Sequence, residues 1–363
     1  MRLLIISFLC IVIAGSRANA QGCVAIRSTG SSCFTGNAAD DSTKWQLNLN
    51  YRYFKSFRHF KGDEEQKERL VEMTDVRNWS HSIDISLIHH LTNRFSIGLN
   101  LPLIGNERSS LYEHGLVNGS YIKRERRNTS SYGLGDMRLT AYYWLVDPAK
   151  GSKGNIQLGA GIKFATGDYD YKDYWYNVGP GGTPELRTVD QSIQLGDGGT
   201  GLVLEMNGYT SLNHRLTAYG NIYYLLNPRN VNGTRTYRET LSPALANDTI
   251  MSVADQYMFR AGMGYNTRKL HLSLGGRIDG IPVYDLAGKS DGFRRPGYVV
   301  SIEPGASMTL GKGNLFLNVP IALYRNRTQS VTDKEMSRLT NSFRQGDAAF
   351  SDYVFNLGYS FRF

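Results

Sequence analysis

Between residues 45 and 363 the chain alternates hydrophobic and polar positions singly, in about a dozen separate stretches. Successive side chains on a pleated backbone point to opposite faces, so each stretch predicts a strand whose two sides meet different surroundings. In WQLNLNYRY, Trp45, Leu47, Leu49, Tyr51 and Tyr53 oppose Gln46, Asn48, Asn50 and Arg52. NIQLGAGIKF sets Ile156, Leu158, Ala160, Ile162 and Phe164 against Gln157 and Lys163. The final stretch, YVFNLGYSFRF, sets Tyr353, Phe355, Leu357, Tyr359, Phe361 and Phe363 against Val354, Asn356, Gly358, Ser360 and Arg362. No amphipathic segment of helical period and useful length interrupts the series.

The connections alternate as well. LTNR, DPAKGSKG, LNHR, NTRK and GKG are short and turn-like. The gaps at 61–77, 105–130, 166–199, 229–252, 281–296 and 325–351 are long and polar. Strict alternation of short and long connections predicts an up-and-down antiparallel β-barrel of about 12 strands, with both termini at the short-turn end. In hydrocarbon every main-chain amide needs a partner, so strands cross a bilayer only as a closed barrel, and the last strand must pair with the first. The greasy face then looks outward to lipid and the polar face inward to the lumen. Trp45, Trp79, Tyr143, Trp144, Tyr223, Tyr224, Tyr324 and Phe363, near strand ends, suit the interfacial girdles of such a barrel. The competing all-β arrangement is a soluble barrel of lipocalin type with its apolar face turned in.

The N-terminus changes the picture by adding a destination. Arg2, the apolar run Leu3–Ala14 and the Ala18-Asn19-Ala20 ending fit a secretory signal peptide over 1–20. After it, no stretch approaches the roughly 18–20 apolar residues of a spanning helix, which excludes a helical membrane protein. Residues 21–44 read as a periplasmic N-terminal arm and 45–363 as one outer-membrane barrel domain. Cys23 and Cys33 lie in that arm, where an oxidising compartment favours a disulfide between them; lipid attachment at Cys23 lacks the apolar residue a lipobox requires. The formal charge of +9 falls to about +7 once Arg2 and Arg17 leave, and it is spread without a basic cluster. That distribution excludes nucleic acid as a partner and suits anionic lipid headgroups. The 23 tyrosines and 39 glycines suit close sheet packing and aromatic girdles.

Three further segments carry a resemblance. The terminal strand ending at Phe363 resembles bacterial outer-membrane barrels, whose C-terminal aromatic strand is read by the barrel assembly machinery. YGLGDMRLTAYY at 132–143, GAGIKFATGDY at 159–169 and LGDGGTGLVLEMNGY at 195–209 resemble the outer-membrane transporter family named for the meta pathway of phenol degradation. That family shows a GLGD strand start, a G-x-K-x-PTG strand end and an LG-x-G segment; Ala165 stands here in place of its proline. The resemblance covers the middle third of the chain and implies passage of small, aromatic or hydrophobic compounds.

Candidate functional groups follow from the alternation. Arg52, Asp84, Asp136, Arg138, Lys163, Glu205, Arg260, Arg277, Asp279, Glu303 and Arg362 fall on the inward face, where they either neutralise one another or form a charged eyelet. Tyr169, Tyr171, Tyr174, Trp175 and Tyr176, in the 164–187 loop, either capture an aromatic permeant, fold into the mouth as a lid, or pack the loop on itself. Asp168, Asp170 and Asp173 lack the spacing of a calcium loop, and no metal or other cofactor is expected. His81 with Ser82, and His114, are the nearest approach to a lipase-like pair, but they lack the His-x-Ser-Asn-Gly pattern of outer-membrane phospholipases. GDGGTG at 196–201 reads as a turn, not a phosphate cradle. The expectation is therefore a bacterial outer-membrane channel, not an enzyme, whose partners are lipid, the assembly machinery and a small-molecule permeant. The alternatives are a plugged barrel that binds partners through its outer loops and, behind it, a lipid-active enzyme.

Overall fold

The computed structural model describes residues 44–117, 120–121, 125–236 and 247–363. Residues 1–43, which include the expected signal peptide and both Cys23 and Cys33 of the expected arm, lie outside the described residues. Twelve antiparallel wall strands follow one another around a closed barrel. They are β1 (Trp45–Lys61), β2 (Arg77–His90), β3 (Phe95–Ser110), β4 (Arg127–Leu134 continued by Arg138–Trp144), β5 (Gly154–Lys163) and β6 (Gly201–Ser211). The other half comprises β7 (Leu216–Leu226), β8 (Gln256–Asn266), β9 (Leu270–Ile281), β10 (Gly297–Leu310), β11 (Gly313–Asn318 continued by Ile321–Arg327) and β12 (Ala348–Arg362). Closure is made by β12 on β1, paired from Gln46↔Arg362 to Phe60↔Ala348 with register shifts on either side of Ser56, and the backbones of Trp45 and Phe363 exchange two hydrogen bonds at the turn end. No helix among the described residues is long and apolar enough to cross a membrane.

Burial is inverted relative to a soluble domain. On β1, Gln46, Asn48, Asn50 and Arg52 are buried, and on β5 Asn155, Gln157 and Lys163 are. Their neighbours Leu49, Ile156, Leu158 and Ile162 are exposed, as are Leu202, Leu204 and Met206 on β6. This arrangement is stable only where the outside is hydrocarbon, which makes the molecule a membrane-spanning barrel. Inside, polar side chains bond to one another: Asn207 donates to Gln157 (3.3 Å), Asn221 to Asn207, and Gln46 to Asn48 (2.8 Å) and Ser360 (3.1 Å).

Three details differ from the sequence reading. The connection expected at 105–130 is shorter than the alternation suggests, because the β3–β4 ladder continues to Ser110↔Arg127. A helix, α1 (Val331–Thr340), occupies the last loop; Ser330 and Asp333 form a reciprocal capping box that starts it, and Asn341 in the left-handed region ends it. Tyr223 does not belong to an interfacial girdle. It faces the lumen, where it packs with Val203, Leu225 and Met258 into an apolar patch on the inner wall of β6–β8. The helix escaped notice because three apolar positions among ten give a weak periodic signal, and Tyr223 because Tyr224 beside it blurs the alternation.

Leu158 points outward near the middle of β5, so Leu158→Arg should destabilise the barrel by about 2–4 kcal/mol in urea titrations of folding into lipid vesicles. An effect below about 0.5 kcal/mol would place that face in water.

Candidate functional site

The three segments quoted above for their resemblance meet at one point. β4 is interrupted at residues 135–137, and this break turns the Asp136 carboxylate inward. Its Oδ1 accepts from the Gly167 amide (3.0 Å), and its Oδ2 accepts from the Asp197 amide (3.1 Å) and from Lys163 Nζ (3.4 Å). Lys163 also donates to Asp197, and Thr166 Oγ1 accepts from the Met137 amide (2.8 Å) while donating to the Gly135 carbonyl (2.9 Å). The backbones of Gly167 and Gly196 approach so closely that a Cβ on Gly167 would lie 2.7 Å from the Leu195 carbonyl oxygen. The glycines of both segments are thus required by contact, and together the segments fix where the β5–β6 loop leaves the wall and returns.

Between those two points the loop turns into the barrel mouth. Asp190 caps a single 3-10 turn, Gln191–Ile193, by accepting from the Ser192 amide (2.9 Å). The Asp190 carboxylate is wholly buried and receives a bidentate pair from Arg295 (2.9 and 2.7 Å), with Arg108 Nη1 at 3.5 Å. Burial alone would raise its pKa, but the two guanidinium groups outweigh burial and hold the carboxyl far below the usual range. Arg108 in turn holds Glu113 bidentately (3.1 and 2.6 Å). On one side of the mouth, Asn106 of β3 and Ser131 of β4 donate to the Ile193 carbonyl. On the other side Gln191 donates to the carbonyls of Ser252 (3.1 Å) and Phe293 (2.9 Å). The segment therefore spans the mouth as a lid, and Val189, Ile193, Met251, Val253, Val283 and Phe293 bury their side chains there.

Beneath the lid is a cavity of about 140 Å³. Leu195, Leu225, Met251 and Ile281 supply apolar walls, Gln191 and Arg294 line the lid side, and Arg138 with Tyr223 lies toward the lumen. Arg138 donates to Asn100 (2.9 Å) and Tyr223 (3.3 Å), and Arg294 is held by a bidentate pair to Asp285 (2.9 and 2.6 Å). Of the inward charges expected from sequence, Asp136, Arg138 and Lys163 line this cavity. Below it, Arg260 pairs with Glu303 (2.8 Å), Arg277 with Asp279 (2.8 Å), and Arg52 donates to Asn356 (3.1 Å). Asp84 and Glu205 lie within electrostatic reach of Arg138. Arg362 donates to Gln46 (3.2 Å) at the turn end.

The five loop aromatics do not converge, and none of them lines the cavity. Trp175 is buried against His114, with ring centroids 5.2 Å apart; Tyr174 and Tyr176 are exposed, and Tyr169 lies against Arg229. His81 points outward and shares a 2.8 Å hydrogen bond with Tyr51, whereas Ser82 is buried on the opposite face, so the two cannot act as a pair. Asp168, Asp170 and Asp173 spend their carboxylates on separate local donors, and no group of three potential metal ligands occurs among the described residues. Arg108, Asp190, Gln191 and Arg295 were missed from sequence. The one local signal was the Asp-x-Ser order at 190–192, a capping pattern inside a loop otherwise dominated by tyrosine.

No family model and no curated protein matches the sequence. Among solved structures the chain is similar to an outer-membrane channel from Pseudomonas putida F1, with a TM-score of 0.54, 13% identity, and coverage of 90% of this chain and 100% of that one. It is also similar to the Ralstonia pickettii toluene transporter TbuX (TM-score 0.43, 10% identity, covering 89% of this chain and 90% of that one). A third is the CymD monoaromatic hydrocarbon channel (TM-score 0.44, 10% identity, covering 88% and 89%). The last two are too distant to carry an argument. The first shares the fold, and the protein is an outer-membrane β-barrel of the bacterial type.

Two outcomes follow from the lid. Asp190→Asn leaves Arg108 and Arg295 facing a neutral amide in a buried place, a change that costs about 3–5 kcal/mol. Hydrogen exchange of the 189–195 amides should then accelerate at least about a hundredfold while the wall strands stay protected. His114 accepts from the Tyr176 amide (3.1 Å); burial, with Arg108 and Arg127, lowers its pKa to about 4 against the opposing pull of Glu113 and Asp173. Because the folded value is depressed, its contribution is complete above about pH 6.5 and is lost as pH falls toward 4. The Trp175 fluorescence, isolated by difference against Trp175→Phe, should change across that window and stay flat in His114→Gln.

Proposed function

We propose that the barrel admits a small aromatic or hydrophobic molecule from outside, that the cavity beneath the lid receives it, and that opening of the lid controls entry. The observation that supports this reading most is the cavity itself. Its volume of about 140 Å³ suits one aromatic ring, and apolar cavities of similar size admit benzene. The polar groups at its margins, Gln191, Gln194 and Gln256, offer partners to a ring substituent such as a hydroxyl. The resemblance of residues 132–209 to the meta-pathway family points to the same compounds, and the converging Asp136, Gly167 and Gly196 give those segments a structural task beside that wall. We assign residues 1–20 and 21–44 to export and to a periplasmic arm, with Cys23 and Cys33 bridged, and Phe363 to recognition by the assembly machinery.

A second reading, a closed barrel that works through its outer loops, draws support from the apolar packing that seals the mouth. Uptake separates the two. In cells with an intact outer membrane, expression of the barrel should raise the initial uptake of a labelled single-ring aromatic several-fold. Asp190→Asn should raise it further, and sucrose entry should not change. If neither form increases aromatic uptake, the transport reading fails and the closed barrel stands.

A further inference from the structure

One layer below the cavity the lumen holds a guanidinium with its recognition edge unused. Arg260 projects inward from β8, two residues and ~7 Å along the strand from Met258, which packs against Tyr223 of the cavity floor. It is only 2% exposed. Its Nη1 donates to Glu303 Oε1 (2.8 Å), and its guanidinium lies over the Tyr219 ring at 5.6 Å. These two contacts fix the plane of the group. Nε and Nη2, the pair of parallel donors on its side edge, have no hydrogen-bond partner among the described residues. Residues linked to Arg260 by register or through Glu303 carry acceptors without a partner among the described residues: Asn221 Oδ1 on the adjacent strand, in register with Arg260, then Glu303 Oε2 and Asn318 Oδ1, whose own amide donates to Glu303 (2.8 Å).

A buried charged donor without a partner costs more than a neutral one, and two on one edge match the spacing of a carboxylate. Lysine could not offer that geometry, because its ammonium is a single point charge. We propose that the Nε/Nη2 edge of Arg260 is a carboxylate-binding site below the cavity, and that its ligand is a small monocarboxylate with a single-ring tail. The carboxylate accepts from both guanidinium donors, and the tail extends toward the apolar patch of Val203, Tyr223 and Met258. Donor substituents on the ligand meet the free oxygens of Asn221, Glu303 and Asn318. Rotation of the Glu303 side chain makes the room, while the Tyr219 ring still holds the guanidinium plane. The proposal deepens the transport reading by naming the charge of the solute, and equilibrium binding is measured separately from uptake so that either can fail without the other.

The test is calorimetric titration of the purified full-length barrel in detergent with benzoate, benzyl alcohol and inorganic phosphate. Benzoate should bind at least about tenfold more tightly than benzyl alcohol, which has the same ring and no charge. Arg260→Gln should remove that preference, and Arg260→Lys should lose most of it while retaining the positive charge. Heat-modifiable migration in electrophoresis reports whether each variant is folded; if the glutamine form is not, the lysine form decides. Equal binding of benzoate and benzyl alcohol by the native protein, or a preference that survives in both variants, overturns the site. Phosphate bound at Arg260 more tightly than benzoate overturns the choice of a ring-bearing monocarboxylate.

Discussion

The interaction on which everything else depends is the backbone hydrogen bond between the last strand and the first. A bilayer offers no water to a bare amide, so the sheet must close, and β12 on β1 is the seam. Closure with twelve strands fixes a narrow lumen. Outward positions are then given to hydrocarbon, and the inward positions become the most buried in the molecule. That is why asparagine, glutamine and arginine fill the places that leucine and valine hold in a soluble domain. Each must find a partner across or along the lumen, and the Gln157, Asn207 and Asn221 chain shows how neighbouring strands supply one another.

The loop end solves a different problem. Above the bilayer the barrel is open to water, and a lid must be held over the mouth without a sheet to support it. The structure does this with one buried carboxylate. Asp190 draws Arg108 from the wall and Arg295 from the loop ahead of β10 onto a single turn of backbone, while Gln191, Asn106 and Ser131 satisfy the carbonyls that lie beside it. Ion pairs of this kind contribute less to net stability than to selecting one arrangement, because desolvation offsets much of their attraction. A lid fastened by charge is also easily released, since loss of one partner strands the others.

The strand pattern, the alternation of turn and loop and the seam between the termini were legible in the sequence, because period two and turn chemistry are local signals, and the same alternation supplied the candidate inward charges. The pairing of those charges was not. Nothing local says that Asp136 meets the amides of Gly167 and Asp197, which lie 31 and 61 positions away. Nor does periodicity say whether a loop rich in tyrosine turns inward: the residues that enter the mouth are Val189–Leu195, and the tyrosines mostly stay outside. The inner apolar patch also contradicts the simple rule of polar residues within. Val203, Tyr223 and Met258 occupy inward positions, and alternation reports only that their two faces differ.

That exception gives the lumen two compartments. Under the lid, Leu195, Leu225, Met251, Ile281 and Tyr223 give one part of the cavity wall an apolar surface, beside the charged groups Asp136, Arg138, Lys163 and Arg294. One residue pair lower, the wall changes to Arg260, Glu303 and the asparagines, and any apolar group moving there would strip hydrogen bonds it cannot replace. A molecule suited to the first compartment alone stops at the boundary, and one suited to the second alone does not pass the apolar walls. On the transport reading proposed above, this layering selects a solute with both an apolar body and a group that can bond to the lower layer, where Arg260 lies.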